Sequence, residues 1–177
     1  LSGLNRMSSE ANKQLVSNIK KEIQQKIKTE NKNIKALNDE NMELTRSIEG
    51  YSNFYHEVEH FFTESMADFN VKQDELPDYF KSNINEVYQN YSQIRLDAID
   101  EKNHLNEYIL HCKKEIQTNQ RSLKFYKSQY SDSDIFSECL PLVDVYEKKI
   151  ELYEKNIQKT NDIISTLDEI INILSNW

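Results

Sequence analysis

The stretch VDVYEKKIELYEKNIQKTNDIISTLDEIINIL, residues 143–174, carries apolar side chains at alternating steps of three and four residues. One heptad frame fits it, with position a held by Val143, Ile150, Ile157, Ile164 and Ile171 and position d by Tyr146, Tyr153, Thr160, Leu167 and Leu174. A sustained period of 3.5 residues predicts a long α-helix that packs along another helix. Because Ile163 and Ile170 widen the apolar stripe, we expect this helix to contact two neighbours, as in a bundle.

A second frame runs through the first third of the chain for about eight heptads. Its position d is held by Val16, Ile23, Leu37, Leu44, Tyr51 and Val58, and its position a by Ile27, Ile34, Asn41, Ile48, Tyr55, Phe62 and Phe69. Glu30 and Ser65 are the main exceptions to the pattern. The middle of the chain is less regular, since its apolar frame shifts near Leu105.

Two short segments interrupt the helical pattern. Residues 70–78 contain Pro77, and residues 131–141 read SDSDIFSECLP and end in Pro141. Proline pushes the preceding residue out of the helical region and suits the first turn of a new helix. We therefore predict helices at about 9–69, 78–130 and 140–176. Aromatic residues flank both breaks, which favours hairpin-like corners.

The composition predicts an all-α protein. Glycine and proline occur only twice each in 177 residues, whereas together they average about 12% of residues. β-Sandwiches and dinucleotide-binding α/β folds need more turn residues than this. At about 1.5 Å per residue the first helix spans roughly 90 Å, so we expect an elongated coiled-coil or helical-bundle rod. We expect residues 1–6 to be a non-native addition that precedes the native initiator Met7, and residues 7–177 to form a single elongated domain.

Charge is unevenly distributed along the chain. The net charge is −8, but residues 1–47 hold nine basic and six acidic side chains, a net of +3. An acidic protein is not attracted globally to nucleic acid or anionic lipid, so neither is predicted as a partner. The basic stretch from Lys20 to Lys35 has two interpretations, which are a solvated helix face or a local contact with phosphate or an acidic partner.

The two cysteines, Cys112 and Cys139, do not form a CxxC motif or a disulfide framework. No signal peptide is recognisable, and no apolar run approaches the roughly 20 residues of a transmembrane helix. We therefore expect an intracellular protein, nuclear or cytoplasmic.

The sequence HEVEH at 56–60 matches the zinc-binding H-E-x-x-H motif. His56 and His60 are weak candidate metal ligands, because Tyr55 and Val58 belong to the apolar seam and leave both histidines near the solvent face. A third ligand and a substrate cleft are not recognisable. Glycine-rich phosphate loops and nucleophile motifs are also absent from the sequence. We predict no catalytic residues, no cofactor and no enzyme activity.

The function favoured by these patterns is that of a structural scaffold or assembly subunit that acts through helix–helix association. The predicted partner interface consists of Ile34, Leu37, Asn41, Leu44, Ile48, Ile150, Tyr153, Ile157, Ile164, Leu167, Ile171 and Leu174. The partner is a second copy, giving a homodimer, or another coiled-coil protein. Asn41 either fixes the register of a parallel dimer or is a tolerated polar residue at a partly open seam.

Two alternatives come from other classes of protein. Three long helices also suit a crescent-shaped dimer on a membrane surface, although the net charge of −8 opposes it. A zinc metalloprotease is the weaker alternative and depends on the HEVEH match alone.

Four segments, in order, are similar to a family of coiled-coil proteins of the synaptonemal-complex central element. They are DYFKSNINEVYQNY (78–91), LNEYILHCKKEI (105–116), FYKSQYSDSDIFS (125–137) and VYEKKIELYEKNIQ (145–158). The family's pattern differs in length, since the segment between Tyr108 and Tyr130 is one heptad longer here. The resemblance implies a structural subunit that assembles with another coiled-coil protein between paired meiotic chromosomes. A cytoskeletal assembly would use the same helix–helix physics.

Overall fold

Three α-helices make up the described chain. The computed structural model describes the backbone of residues 2–68, 78–129 and 135–176, with side chains at 9–60, 90–128, 135 and 137–176. The helices are α1 (Ser2–Asp68), α2 (Asp78–Gln129) and α3 (Phe136–Ser175). Across these ranges no residue forms a strand, which confirms the all-α prediction. Of the two predicted breaks, residues 70–77 and 131–134 lie outside the described residues, whereas Asp78 and residues 136–141 belong to helices.

Two helix starts differ from the sequence-based expectation. α1 begins at Ser2 and thus runs through residues that we had set apart from the fold. Extending an existing helix costs little, since each added residue gains one backbone hydrogen bond. α3 begins at Phe136, ahead of Pro141. The amides of Glu138 and Cys139 both donate to the carbonyl of Ile135, and burial of Ile135 and Cys139 favours this extra turn.

The described contacts divide the chain into two compact units. Unit 1 comprises residues 1–41 and 112–155, and unit 2 comprises residues 42–111 and 156–177. Each unit therefore holds a segment of all three helices. None of the described helices contains an apolar stretch long enough to cross a bilayer.

Unit 1 has a core to which all three helices contribute. Its buried members are Ile23, Tyr126, Ile135, Cys139, Leu142, Val143 and Tyr146. Lys20 lies near Glu138 and Glu30 binds Lys149, so α1 and α3 run parallel here. The ring of Tyr126 stacks on Tyr146, which joins the end of α2 to the start of α3.

Unit 2 has its own core. The buried residues are Val58, Ala98, Ile163, Leu167, Ile170 and Leu174. Half-buried aromatic residues of α1 and α2, including Tyr51, Phe54 and Tyr91, pack against them. Nζ of Lys102 lies 2.6 Å from a carboxylate oxygen of Asp168 and ties α2 to α3.

Candidate helix–helix interface

The face of α1 that packs is the one predicted by its heptad frame. Ile23, Leu37 and Val58, all at position d, are buried. The remaining a and d residues between 16 and 58 are at least half-buried, including the exception Glu30. The period of 3.5 residues therefore located the packing face of α1 correctly, because one continuous stripe faces the other two helices.

The buried line of α3 includes polar positions that the sequence frame did not select. At the predicted position d, Tyr146, Tyr153, Thr160, Leu167 and Leu174 are indeed buried. The second line, however, lies one residue before the predicted position a and consists of Leu142, Lys149, Asn156, Ile163 and Ile170, each at most 6% exposed. Ile150, Ile157, Ile164 and Ile171 are half-buried beside it. The wider stripe expected from Ile163 and Ile170 is confirmed. Of the five residues predicted at position a, only Val143 is buried, at 5% exposed.

Lys149 is tolerated on this line because α1 supplies a carboxylate. Its Nζ lies 2.6 Å from Oε2 of Glu30, and the two side chains are only 7% and 17% exposed. Burying either charge alone is costly, but a short hydrogen-bonded pair offsets much of that cost. Glu30, the exception in the α1 seam, and Lys149 thus satisfy each other in unit 1.

A second polar contact of unit 1 involves Lys26. Its ammonium group donates to the hydroxyl of Tyr126 at 2.6 Å and lies 5.2 Å from the centre of that ring. The hydrogen bond with Tyr126 is the main cause that raises the pKa of Lys26, against the opposing effect of burial. The Tyr126 and Tyr146 rings, 5.9 Å apart, extend this contact to α3. One lysine of α1 is thereby linked to both other helices.

Unit 2 contains a neutral polar layer. The fully buried Asn156 donates from Nδ2 to the hydroxyl of Tyr108 at 3.1 Å. The hydroxyl of Thr160 donates to the backbone carbonyl of Asn156 at 2.6 Å. Among the described residues, no buried side-chain nitrogen or oxygen lacks a hydrogen-bond partner. The Asn156–Tyr108 hydrogen bond joins α3 to α2 and favours one register of these helices, because a slip would leave the buried amide unpaired.

Tyr153 lies near acidic side chains inside unit 1. The residue is only 8% exposed. Burial, followed by the nearby charges of Glu115 and Glu40, raises the pKa of Tyr153 to about 12. The phenol is therefore neutral at physiological pH and acts as a packing residue.

The residues predicted as a partner interface lie mainly against helices of the same chain. Leu37, Tyr153, Leu167 and Leu174 are buried. The other eight are half-buried, namely Ile34, Asn41, Leu44, Ile48, Ile150, Ile157, Ile164 and Ile171. Leu44, Ile48, Leu167, Ile171 and Leu174 belong to the core of unit 2. That they bind a second protein stays a prediction. Within the chain, these residues pack between its own helices.

The HEVEH segment lies on the exposed side of α1. His56 and His60 are exposed, while Val58 is 4% exposed and packs into unit 2. Within the described ranges, no group of three or more His, Cys, Asp or Glu side chains is placed to hold a metal ion. The structure therefore adds no third ligand to the two histidines within those ranges.

Sequence reasoning missed Lys149, Asn156 and Glu30 as structural residues. A signal was present, because Leu142, Lys149, Asn156, Ile163 and Ile170 are spaced by seven residues. The frame one residue later is entirely apolar, from Val143 to Ile171, and this frame was therefore the stronger pattern. Glu30, the carboxylate partner of Lys149, lies 119 residues away along the chain.

The chain was compared with family models, characterised proteins and solved structures. No family model, no characterised protein and no solved structure matches it. The similarity to the synaptonemal-complex family therefore rests on the four quoted segments, and it stays a prediction.

Proposed function

We propose that this chain is a non-enzymatic scaffold subunit that binds other proteins along the exposed faces of its helices. The observation that carries the proposal is the use of the apolar seams inside the chain. Ile23, Val58 and Leu167 pack within the cores of their own units, and the outward faces of the long helices would then bind the partner. Partner choice then depends on the charged side chains of those faces, which give specificity and association rate.

The internal polar pairs support this function. The Glu30–Lys149 pair and the Asn156–Tyr108 hydrogen bond hold helix segments in one register. Interaction surfaces on rigid elements are more exact than surfaces on loops. A helix held in register presents its outward residues at fixed intervals, as an assembly subunit requires.

The first test is the mass in solution, measured by light scattering coupled to size-exclusion chromatography at loaded concentrations between 1 and 200 μM. The chain mass is 21.0 kDa. We expect a species of about twice that mass to grow with concentration, or a larger complex cross-linked in cells of the source organism. A mass of one chain throughout, together with no cross-linked partner in cells, would contradict the scaffold function.

The similarity to the synaptonemal-complex family suggests a finer setting, assembly between paired meiotic chromosomes. Supporting it are the Tyr-rich segments 105–116 and 145–158. A fluorescently tagged copy should then form continuous lines along chromosome axes in meiotic prophase. A diffuse signal, or lines along cytoskeletal fibres, would reject the meiotic setting and keep the general scaffold function.

A further inference from the structure

One exposed side of α1 in unit 1 carries lysines and no acidic residue. Lys21, Lys28, Lys32 and Lys35 are all exposed. Their spacings of seven, four and three residues place them on one side of the helix, over about 21 Å. We call this side of α1, within residues 17–38, the lysine face.

The other exposed positions of the lysine face are uncharged and can form hydrogen bonds. They are Ser17, Asn18, Gln24, Gln25, Asn31 and Asn38. Asp39, the next residue, is the first acidic side chain on this side of the helix. The opposite exposed side mixes both signs, with Glu22, Lys26 and Glu40. An ordinary solvated face would show the same mixture, so the absence of acidic residues sets the lysine face apart.

The positive charge of the lysine face is not balanced by ion pairs. Among the described residues, none of its four lysines takes part in one. Acidic side chains of unit 1 bind other cations instead, since Glu30 lies 2.6 Å from Lys149 and Glu147 lies 3.1 Å from Lys127. Unit 1 as a whole holds sixteen basic and thirteen acidic side chains, a net charge of +3. The four lysines therefore remain available to an anionic ligand.

We propose that the lysine face binds the phosphate backbone of a nucleic-acid duplex without reading its base sequence. Lysine, serine, asparagine and glutamine are among the side chains that contact phosphate and sugar in such complexes. Duplex DNA carries one negative charge per about 1.7 Å of its axis, so a face about 21 Å long lies opposite many phosphates. This binding site goes beyond the proposed scaffold function and does not depend on it.

Two other anionic ligands fit the lysine face less well. Single-stranded nucleic acid stacks its bases on aromatic side chains, and no exposed residue of the lysine face is aromatic. A helix that lies on a lipid surface inserts an apolar stripe, whereas the apolar residues Ile23 and Leu37 of this segment are buried within the protein. A regular duplex backbone is therefore the better match.

The test is fluorescence anisotropy of a labelled 24-base-pair DNA duplex titrated with the full chain at 50, 100 and 200 mM KCl. If the four lysines neutralise four phosphates, the logarithm of the association constant should fall against the logarithm of the KCl concentration with a slope of about −3.6. Lys28→Gln with Lys32→Gln should raise Kd by about tenfold at 50 mM KCl and reduce the slope to about −1.8. An RNA duplex of the same sequence, titrated in parallel, distinguishes the two sources of phosphate backbone, and lysine-dependent binding of either duplex supports the proposal.

A matched control removes two positive charges elsewhere. Arg46→Gln with Lys127→Gln changes two exposed cations outside the lysine face, one of which lies beside Glu147. Its Kd should stay within about threefold of the wild type, with an unchanged slope, because neither side chain contacts the duplex. Circular dichroism of each variant verifies that it is folded.

Three results would overturn the proposal, and each leaves the scaffold function intact. The first is no binding of either duplex at 200 μM chain in 50 mM KCl. The second is an equal Kd for the Lys28→Gln, Lys32→Gln variant and the control, which would assign binding to another surface. The third is flotation with phosphatidylserine vesicles that depends on Lys28 and Lys32 in a chain that binds no duplex, which would assign the lysine face to anionic lipid.

Discussion

The buried pair of Glu30 and Lys149 decides which residues of α3 face α1 in unit 1. Removing one partner leaves a charge in a site where water reaches it poorly. We expect Lys149→Met to lower the free energy of unfolding by about 3 kcal/mol. Combining it with Glu30→Leu should recover most of that loss, because neither charge then remains. Urea unfolding followed by circular dichroism measures all three variants.

An exposed ion pair on α3 provides the control for Lys149. Nζ of Lys155 lies 3.2 Å from Glu151, and the two side chains are 58% and 64% exposed. Lys155→Met should change the free energy of unfolding by no more than about 0.5 kcal/mol. Equal effects of Lys149→Met and Lys155→Met would show that the inner pair is no more important than a surface pair.

Gly50 lowers the stability of α1, and no neighbouring atom requires a glycine at this position. A Cβ atom built at Gly50 meets nothing within 4 Å, and the residue lies well inside the helix. Gly50→Ala should therefore raise the free energy of unfolding by about 0.5–1 kcal/mol, because alanine loses less backbone entropy in a helix. Thermal melts would detect the rise. Ala36→Gly, at an exposed position of the same helix, should lower stability by a similar amount. A Gly50→Ala variant with a lower free energy of unfolding than the wild type would show that a Cβ atom at position 50 does not lie in open space.

At the scale of the element, α3 has two adjacent lines of isoleucines with different roles. Ile163 is 1% exposed and belongs to the core of unit 2, whereas its neighbour Ile164 is half-buried. Ile163→Ala should cost about 3–4 kcal/mol of unfolding free energy, since it leaves a cavity in a packed core. Ile164→Ala should cost about 1 kcal/mol because part of its surface already contacts water. A larger loss for Ile164→Ala would restore the original heptad frame as the packing line.

At the scale of the whole molecule, the two units share all three helices. α1, α2 and α3 each continue without a break across the division between the units. We therefore expect a local loss of packing in unit 2 to lower the stability of unit 1 as well. Cys112 and Cys139 are both fully buried in unit 1 and are not joined in a disulfide, so their reaction with a thiol reagent measures the opening of that unit.

Thiol labelling tests this coupling. Ile163→Ala, in unit 2, should speed the reaction of both thiols with an aromatic disulfide reagent by about 100-fold, the factor that corresponds to roughly 3 kcal/mol. Ile164→Ala should have a much smaller effect. An unchanged labelling rate in Ile163→Ala, despite a lower global stability, would mean that the units open independently. Burial raises the pKa of Cys139, so the reaction is compared at one pH.

The sequence by itself determined the helical class, the number of helices and the packing face of α1. Sparse glycine and proline permit long helices, and a period of 3.5 residues marks one face of each. Ile23, Leu37 and Val58 were found this way because burial of an apolar side chain needs no particular partner.

Only the tertiary structure decided the central line of α3. Burial of Lys149 depends on Glu30, and burial of Asn156 depends on Tyr108. Polar groups enter a core only where a matching group stands opposite, and that match joins residues far apart along the chain. Which segments share a core is likewise decided only by folding, because each unit combines separate segments of all three helices.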